Sequence, residues 1–152
     1  MPNYFFDTSA VSKRYRTETG SMRVDALLST AGSTFNISRL AAVELHSTLA
    51  KKVRIGQLTQ AEFEKLTRRF RSDLKAKRWR VMRVTIHQFE SAVRLIRKVG
   101  LTRNLRTLDA LQLAVALSLN DPVQPIDFVC ADQALCAIAA AEGLVVINPE
   151  VP

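Results

Sequence analysis

Only two cysteines, Cys130 and Cys136, occur in the 152 residues. They are six positions apart, not at the C-x-x-C spacing of a zinc or redox pair, so they read as buried thiols of a protein kept in a reducing cytoplasm. No apolar run approaches the ~18–20 residues that cross a bilayer. The N-terminus has no basic stretch leading into an apolar block, so neither a membrane span nor a secretory signal is expected. Repeats, low-complexity segments and linkers are also missing. With 47 % hydrophobic residues, the chain reads as one globular domain over residues 1–152 with a sizeable core.

Cations are missing from the last part of the chain. Residues 107–152 contain six acids and no lysine or arginine, whereas residues 51–106 hold seventeen basic groups against four acidic ones. The first fifty residues are nearly balanced, five to four, and the whole carries +8 with an isoelectric point near 10.1. A solvated helix face would account for a modest excess. Seventeen to four points instead to an anionic partner, nucleic acid, held by the middle of the chain beside a region that needs carboxylates.

Asn3–Ala10 is the most informative stretch. Tyr4, Phe5 and Phe6 suit a short buried strand. Asp7 then breaks the apolar run, and Thr8 and Ser9 offer caps for a helix from Ala10 to Arg16. Asp7 is either a simple cap or a ligand-binding acid at a strand's carboxyl end. Further along, a modest helix is expected over Arg23–Ser29 and a brief strand over Thr34–Ile37. Ser38 caps a helix from Arg39 to about Ile55, with Leu40, Val43, Leu49 and Val53 as its core stripe. Thr59 and Glu62 form a capping box for a helix to about Lys77, which carries Phe63, Leu66, Phe70 and Leu74 on one side and basic residues elsewhere. A noisy strand over Trp79–Thr85 precedes a second capping box, Thr85 and Gln88, for a helix to Val99. Thr107–Leu119 is apolar enough to be nearly surrounded by protein. Strands over Ile126–Cys130 and Val145–Ile147 flank a helix from Asp132 to Glu142. Strands alternating with helices predict an α/β/α sandwich with a central parallel sheet and helices on both faces.

Four acids hold comparable local positions. Asp7 and Asp132 follow buried strands; Glu44 and Asp109 lie near the starts of helices rich in alanine and leucine. In a parallel sheet, strand carboxyl ends and the following helix starts share one edge, so all four can converge. Four carboxylates together repel one another unless a cation intervenes. An all-oxygen set favours Mg²⁺ or Mn²⁺ over zinc. Each acid also has an innocent explanation, as a helix-start charge or a surface residue. Asp127 should lie near the other edge. His46, two positions beyond Glu44, points away from it on a helix and reads as structural; His87 reads as a helix-start residue.

Four segments, in order along nearly the whole chain, resemble the PIN-domain ribonucleases of the VapC toxin type. They are Asn3–Ala10, Ser38–Leu45, Leu105–Ala114 and Phe128–Leu135, the last followed by Ala141–Leu144. The resemblance implies a metal-dependent endoribonuclease with Asp7, Glu44, Asp109 and Asp132 in its acidic pocket. It also implies a dimer, held in check by a cognate antitoxin that obstructs that pocket. Two positions depart from the pattern: Cys130 stands where Thr or Ser is frequent, and Gln112 where His is common.

The chemistry expected is phosphodiester hydrolysis assisted by one or two Mg²⁺ or Mn²⁺ ions, with Asp7 and Asp109 as direct ligands. Glu44 and Asp132 would complete the site directly or through water, and Ser9 would support it. Arg68, Arg69, Arg71, Arg78 and Arg80 are the candidates for the RNA backbone, and single-stranded or looped RNA is the expected target. Two other nucleic-acid readings share parts of this pattern: a housekeeping RNA-processing nuclease, and a non-catalytic binding module that leaves the acids unexplained. A phosphoacceptor receiver also gathers acids at strand ends, but it needs a paired acid near its first strand and a late lysine, and this chain has no lysine after Lys98.

Overall fold

The computed structural model describes all residues, Met1–Pro152. Five strands form one sheet: β1 (Asn3–Phe6), β2 (Thr34–Ser38), β3 (Arg80–Met82), β4 (Asp127–Val129) and β5 (Val145–Ile147). All pairings are parallel and the order is β3-β2-β1-β4-β5. The helices are α1 (Thr8–Tyr15), α2 (Ser21–Leu28), α3 (Arg39–Arg54), α4 (Gln60–Lys75), α5 (Ile86–Val99), α6 (Thr107–Leu119) and α7 (Gln133–Ala141). This is the expected α/β arrangement.

Strand alternation divides the core between the two faces. Tyr4 and Phe6 point to one face, where they pack with residues of α1 to α4 and Trp79. Phe5 points to the other and stacks on Phe128 among residues of α5, α6 and α7. Seven consecutive residues of α6, Ala110–Ala116, are buried, in keeping with its apolar sequence, although Leu108 at its start is exposed. Trp79 lies buried and its Nε1 donates to the Tyr15 hydroxyl at 2.7 Å. That hydroxyl donates to Asp73 at 2.8 Å, locking α1 to α4. The C-terminal residues are tied back by the buried Lys13, whose Nζ donates to Glu150 at 2.6 Å and to the Thr19 carbonyl at 2.8 Å. Gly20 (φ 88°) allows the close approach there, since a Cβ would meet the Pro149 carbonyl oxygen at 3.0 Å.

Three details differ from the sequence reading. The buried stripe of α3 is Ala41, Leu45 and Leu49, and Val43, expected inside, is 70 % exposed. Ala41, Leu45 and Leu49 recur every four residues on one face, and Val43, two positions from Ala41, falls on the other side of the helix. The strand expected over Trp79–Thr85 shortens to Arg80–Met82. The first helix starts at Thr8, because Asp7 itself is the N-cap, accepting from Ser9 N at 3.1 Å. No helix is long and apolar enough to cross a membrane.

Candidate active site

The sheet's connectivity sets where a site forms. From β1 the chain moves outward through β2 to β3, then returns to β4 on the other side of β1. Beyond the carboxyl ends of β1 and β4 the departing helices diverge, which is where open parallel sheets bind ligands. Asp7 ends β1, and Cys130, Ala131 and Asp132 end β4. A cleft of about 240 Å³ opens at this point, lined by Asp7, Thr8, Ser9, Ser12, Glu44, Thr48, Arg106, Asp109 and Asp132, none of them apolar. All four sequence-predicted acids and Ser9 therefore line one pocket.

Each acid is fixed by its own element. Asp7 is only 4 % exposed. Its Oδ2 accepts from the Ser9 hydroxyl at 2.7 Å as well as from Ser9 N. The same hydroxyl accepts from Ala131 N at 3.0 Å, tying the ends of β1 and β4 together. Glu44 lies in the second turn of α3, which Ser38 caps by accepting from Leu40 N at 2.9 Å. Asp109 lies in the first turn of α6. Asp132 caps α7 with Oδ1, accepting from Leu135 N at 3.0 Å, and keeps Oδ2 for the pocket. Capping and pocket-lining are thus combined in Asp7 and in Asp132. One carboxylate has enough lone pairs for both tasks.

The electrostatics follow from burial. Burial raises the Asp7 carboxyl above the ordinary aspartate range against the two Ser9 hydrogen bonds, and repulsion from Asp109 adds to the rise. Burial likewise raises Glu44. Its bonds from Gln112 and Thr8 oppose the rise, and the charges of Asp7 and Asp109 reinforce it. The buried Cys130 Sγ donates to Asp7 Oδ2 at 3.7 Å, and its Cys136 neighbour together with burial pushes the Cys130 thiol up.

Three contributors were not assigned to the site by sequence: Gln112, noted only as a departure from the pattern, Thr8, read only as a cap, and Arg106. Gln112, fully buried, donates from Nε2 to Glu44 Oε1 at 2.8 Å and to Thr8 Oγ1 at 2.9 Å. Thr8 in turn donates to Glu44 at 3.2 Å. The Gln112 amide oxygen has no partner, so this amide serves Glu44 and Thr8 at the expense of its own acceptor. Arg106 donates from Nε to Asp109 Oδ2 at 3.0 Å, and its Nη2 stands 3.6 Å from Asp132 Oδ2. Helical spacing is the signal that finds such residues: Arg106 lies three before Asp109, and Thr48 four after Glu44.

The donor set suits a hard divalent cation. It is all carboxylate and hydroxyl oxygen, in a cleft holding several water volumes at ~30 Å³ each. As the side chains stand, however, no three acids of the chain lie within reach of a single ion. Arg106 engages two of them instead.

The arginines expected at the RNA backbone divide. Arg68, Arg69 and Arg71 are exposed on α4. Arg69 lies over the Tyr15 ring, 6.0 Å from its centre. Arg78 and Arg80 lie at the opposite edge of the sheet from Asp7. Arg80 opens β3, lining a cavity with Asn3 and Asn36, while Arg78 pairs with Asp73 at 3.2 Å and lines a cavity with Ser33 and Thr34. The reason is topological: β3 runs parallel to β1, so residues at its start belong to the amino-terminal edge. Asp127, first residue of β4 and paired with Tyr4, lies away from the pocket as expected. His46 is structural, with Nδ1 2.6 Å from the Ala42 carbonyl and its ring edge-on to Phe63 and Phe70. His87 lies exposed in the first turn of α5.

An all-parallel sheet in this strand order, with acids gathered at its switch point, defines a class, and the sequence agrees: it matches the PIN domain family over residues 4–141, and the chain belongs to that family. Its curated relatives include Ribonuclease VapC45 of Mycobacterium tuberculosis, 35 % identical over 122 residues that cover 80 % of each chain. Among solved structures it is similar to Mycobacterium tuberculosis VapC20, described as a Sarcin-Ricin loop cleaving toxin (TM-score 0.69, 16 % identity, 96 % and 99 % of the two chains). It is also similar to a toxin-antitoxin complex from Klebsiella pneumoniae (TM-score 0.61, 16 % identity, 96 % and 97 %). At such identities the solved structures speak to the fold, and the curated ribonuclease to the family.

Proposed function

We propose that this chain is an endoribonuclease, the toxin of a toxin–antitoxin pair, which hydrolyses RNA phosphodiester bonds at the Asp7 pocket. The observation that carries the reading is that Asp7, Glu44, Asp109 and Asp132, the first and last of them 125 positions apart, line one cleft with no apolar residue in it. Relatives named as ribonucleases and toxins support the same reading. Asp7, Glu44, Asp109 and Asp132 would hold the divalent cation, Mg²⁺ or Mn²⁺. Bound there, the ion would supply positive charge and lower the pKa of water at the site.

The chain's own groups do the rest. Ser9 fixes the Asp7 carboxylate by two hydrogen bonds, so Asp7 keeps its orientation without the ion. Gln112 and Thr8 do the same for Glu44. Arg68, Arg69 and Arg71 supply the cationic surface for the RNA backbone, an attraction that falls with salt. Looped or single-stranded RNA fits best, because its bases and backbone are free to bend into a narrow cleft. The partners are an antitoxin and a second copy of the chain, for which the exposed Ile86, Phe89 and Val93 of α5 offer apolar surface. The place of action is the cytoplasm.

The test is incubation of purified protein with total RNA in Mn²⁺ or in EDTA. Cleavage in Mn²⁺ that stops in EDTA, and is lost in Asp7→Asn, is the expected result. Retention of RNA without cleavage in either condition would refute the nuclease reading and leave a binding module.

A further inference from the structure

Arg106 is the only cation among the nine residues lining the pocket, and no lysine or arginine follows it in the chain. Its position is a poor one for structural purposes. It is the N-cap residue of α6, where Ser, Thr, Asp and Asn are preferred, and its side chain makes no capping hydrogen bond. A positive charge there also faces the positive end of the helix dipole. Its contacts lie elsewhere: Nε donates to Asp109 Oδ2 at 3.0 Å, and Nη2 stands 3.6 Å from Asp132 Oδ2. One guanidinium thus bridges acids of two different helices across the mouth of the cleft. With its side chain 66 % exposed, those two carboxylates are what hold it.

The bridge also accounts for why no three acids are gathered for one ion: two are turned to the arginine. We propose that Arg106 is a resident counter-ion of the pocket. It neutralises Asp109 and Asp132 before a divalent cation binds and is displaced from them when one enters. The freed guanidinium then holds a phosphate of the RNA at the cleft mouth. The planar fork suits both jobs, since carboxylate and phosphate present similarly spaced oxygens. The counter-ion half stands on geometry alone; the phosphate half rests on the nuclease reading.

Mn²⁺ binding measured by calorimetry without RNA tests the first half. Exposed ion pairs are weak, so Arg106→Gln should bind Mn²⁺ about fivefold more tightly than the parent at low salt. The gap should close at about 0.5 M KCl, where the Debye length falls to a few ångström. A helix-capping role would give neither result, and Mn²⁺ binding by Arg106→Gln that is equal or weaker overturns the counter-ion. Cleavage of mixed RNA at saturating Mn²⁺ tests the second half. KM should rise about tenfold in Arg106→Gln and recover partly in Arg106→Lys, and unchanged cleavage overturns the phosphate contact. If the parent itself cuts no RNA in Mn²⁺, the nuclease reading fails and with it the phosphate half, while the calorimetry still decides the counter-ion.

Discussion

Replacing Asp7 with asparagine should abolish cleavage and at the same time stabilise the fold. Asn is nearly isosteric, and its amide oxygen can accept the same two donations from Ser9 that Oδ2 accepts now. Those bonds lose their charge assistance, a loss of roughly 1 kcal/mol. Against this, the substitution removes a charge that is 4 % exposed and repelled by Asp109. The direction of the Asp7 shift tells which side wins. Its carboxyl is raised, so burial and repulsion together outweigh the Ser9 bonds, and the ionised form is a net burden on the native state. A gain of about 1 kcal/mol is reasonable for relief of this kind at an active site. For a chain of this size that is ~2–4 °C in melting temperature.

The pH dependence gives the sharper check. A carboxyl raised in the folded state contributes stability that is present below its unfolded pKa and is lost as pH rises through the folded one. The parent should therefore approach Asp7→Asn in melting temperature as pH falls from neutrality towards 4, and the gap should be widest at pH 7 and above. Scanning calorimetry of both proteins in EDTA across that range measures it. If Asp7→Asn melts below the parent at neutral pH, or if the gap is independent of pH, the reasoning that makes Asp7 an unfavourable buried charge is wrong.

Other outcomes follow from the same contacts. Gln112→Leu removes two donations to the Glu44–Thr8 pair. Glu44 should then titrate still higher, moving the acid limb of the cleavage pH profile upward, and the carboxylate left short of a partner should lower stability by about 1–3 kcal/mol in urea unfolding. Arg80→Ala should leave RNA retention on a filter within about twofold of the parent, whereas Arg68, Arg69 and Arg71 changed together should weaken it and flatten its salt dependence by about two to three phosphate contacts. Saturating Mn²⁺ at about 100 times its dissociation constant should stabilise the parent by ~2.7 kcal/mol, an increment that EDTA removes and that Asp7→Asn largely lacks.

Asp7 and Asp109 were legible as exceptions to their surroundings, whereas Glu44 and Asp132 stood out only with the four segments taken together. Asp7 interrupts an aromatic strand, and Asp109 opens the most apolar helix of the chain. Once strands and helices alternate, the parallel sheet puts all such positions on one edge. Local pattern was enough for the caps at Ser38, Thr59 and Thr85 too, since a cap depends on residues within one turn. Core stripes were less secure. The α3 stripe expected at Leu40, Val43, Leu49 and Val53 holds at Leu49 and in part at Leu40, but the structure buries Ala41 and Leu45 and exposes Val43, because side-chain size does not fix which face of the helix meets the core. Arg78 and Arg80 show another limit: composition supplies charge but not the edge of the sheet on which it falls, which needs the register of β3 with β2.

Arg106 is the instructive omission. Among seventeen basic residues between positions 51 and 106, residue type cannot single one out, just as an acid among acids would pass unnoticed. What distinguishes Arg106 is that it stands where a cation is electrostatically unwelcome, at a helix N-terminus three residues before a carboxylate. The criterion that exposed Asp7 was a residue type at odds with its local setting, and applied to helix ends as well as strand ends it selects Arg106. On that criterion Asp7 and Arg106 are a single feature of the sequence: an acid closing an aromatic strand and a cation opening a helix are each at odds with their local setting, and the cleft at the switch point holds both.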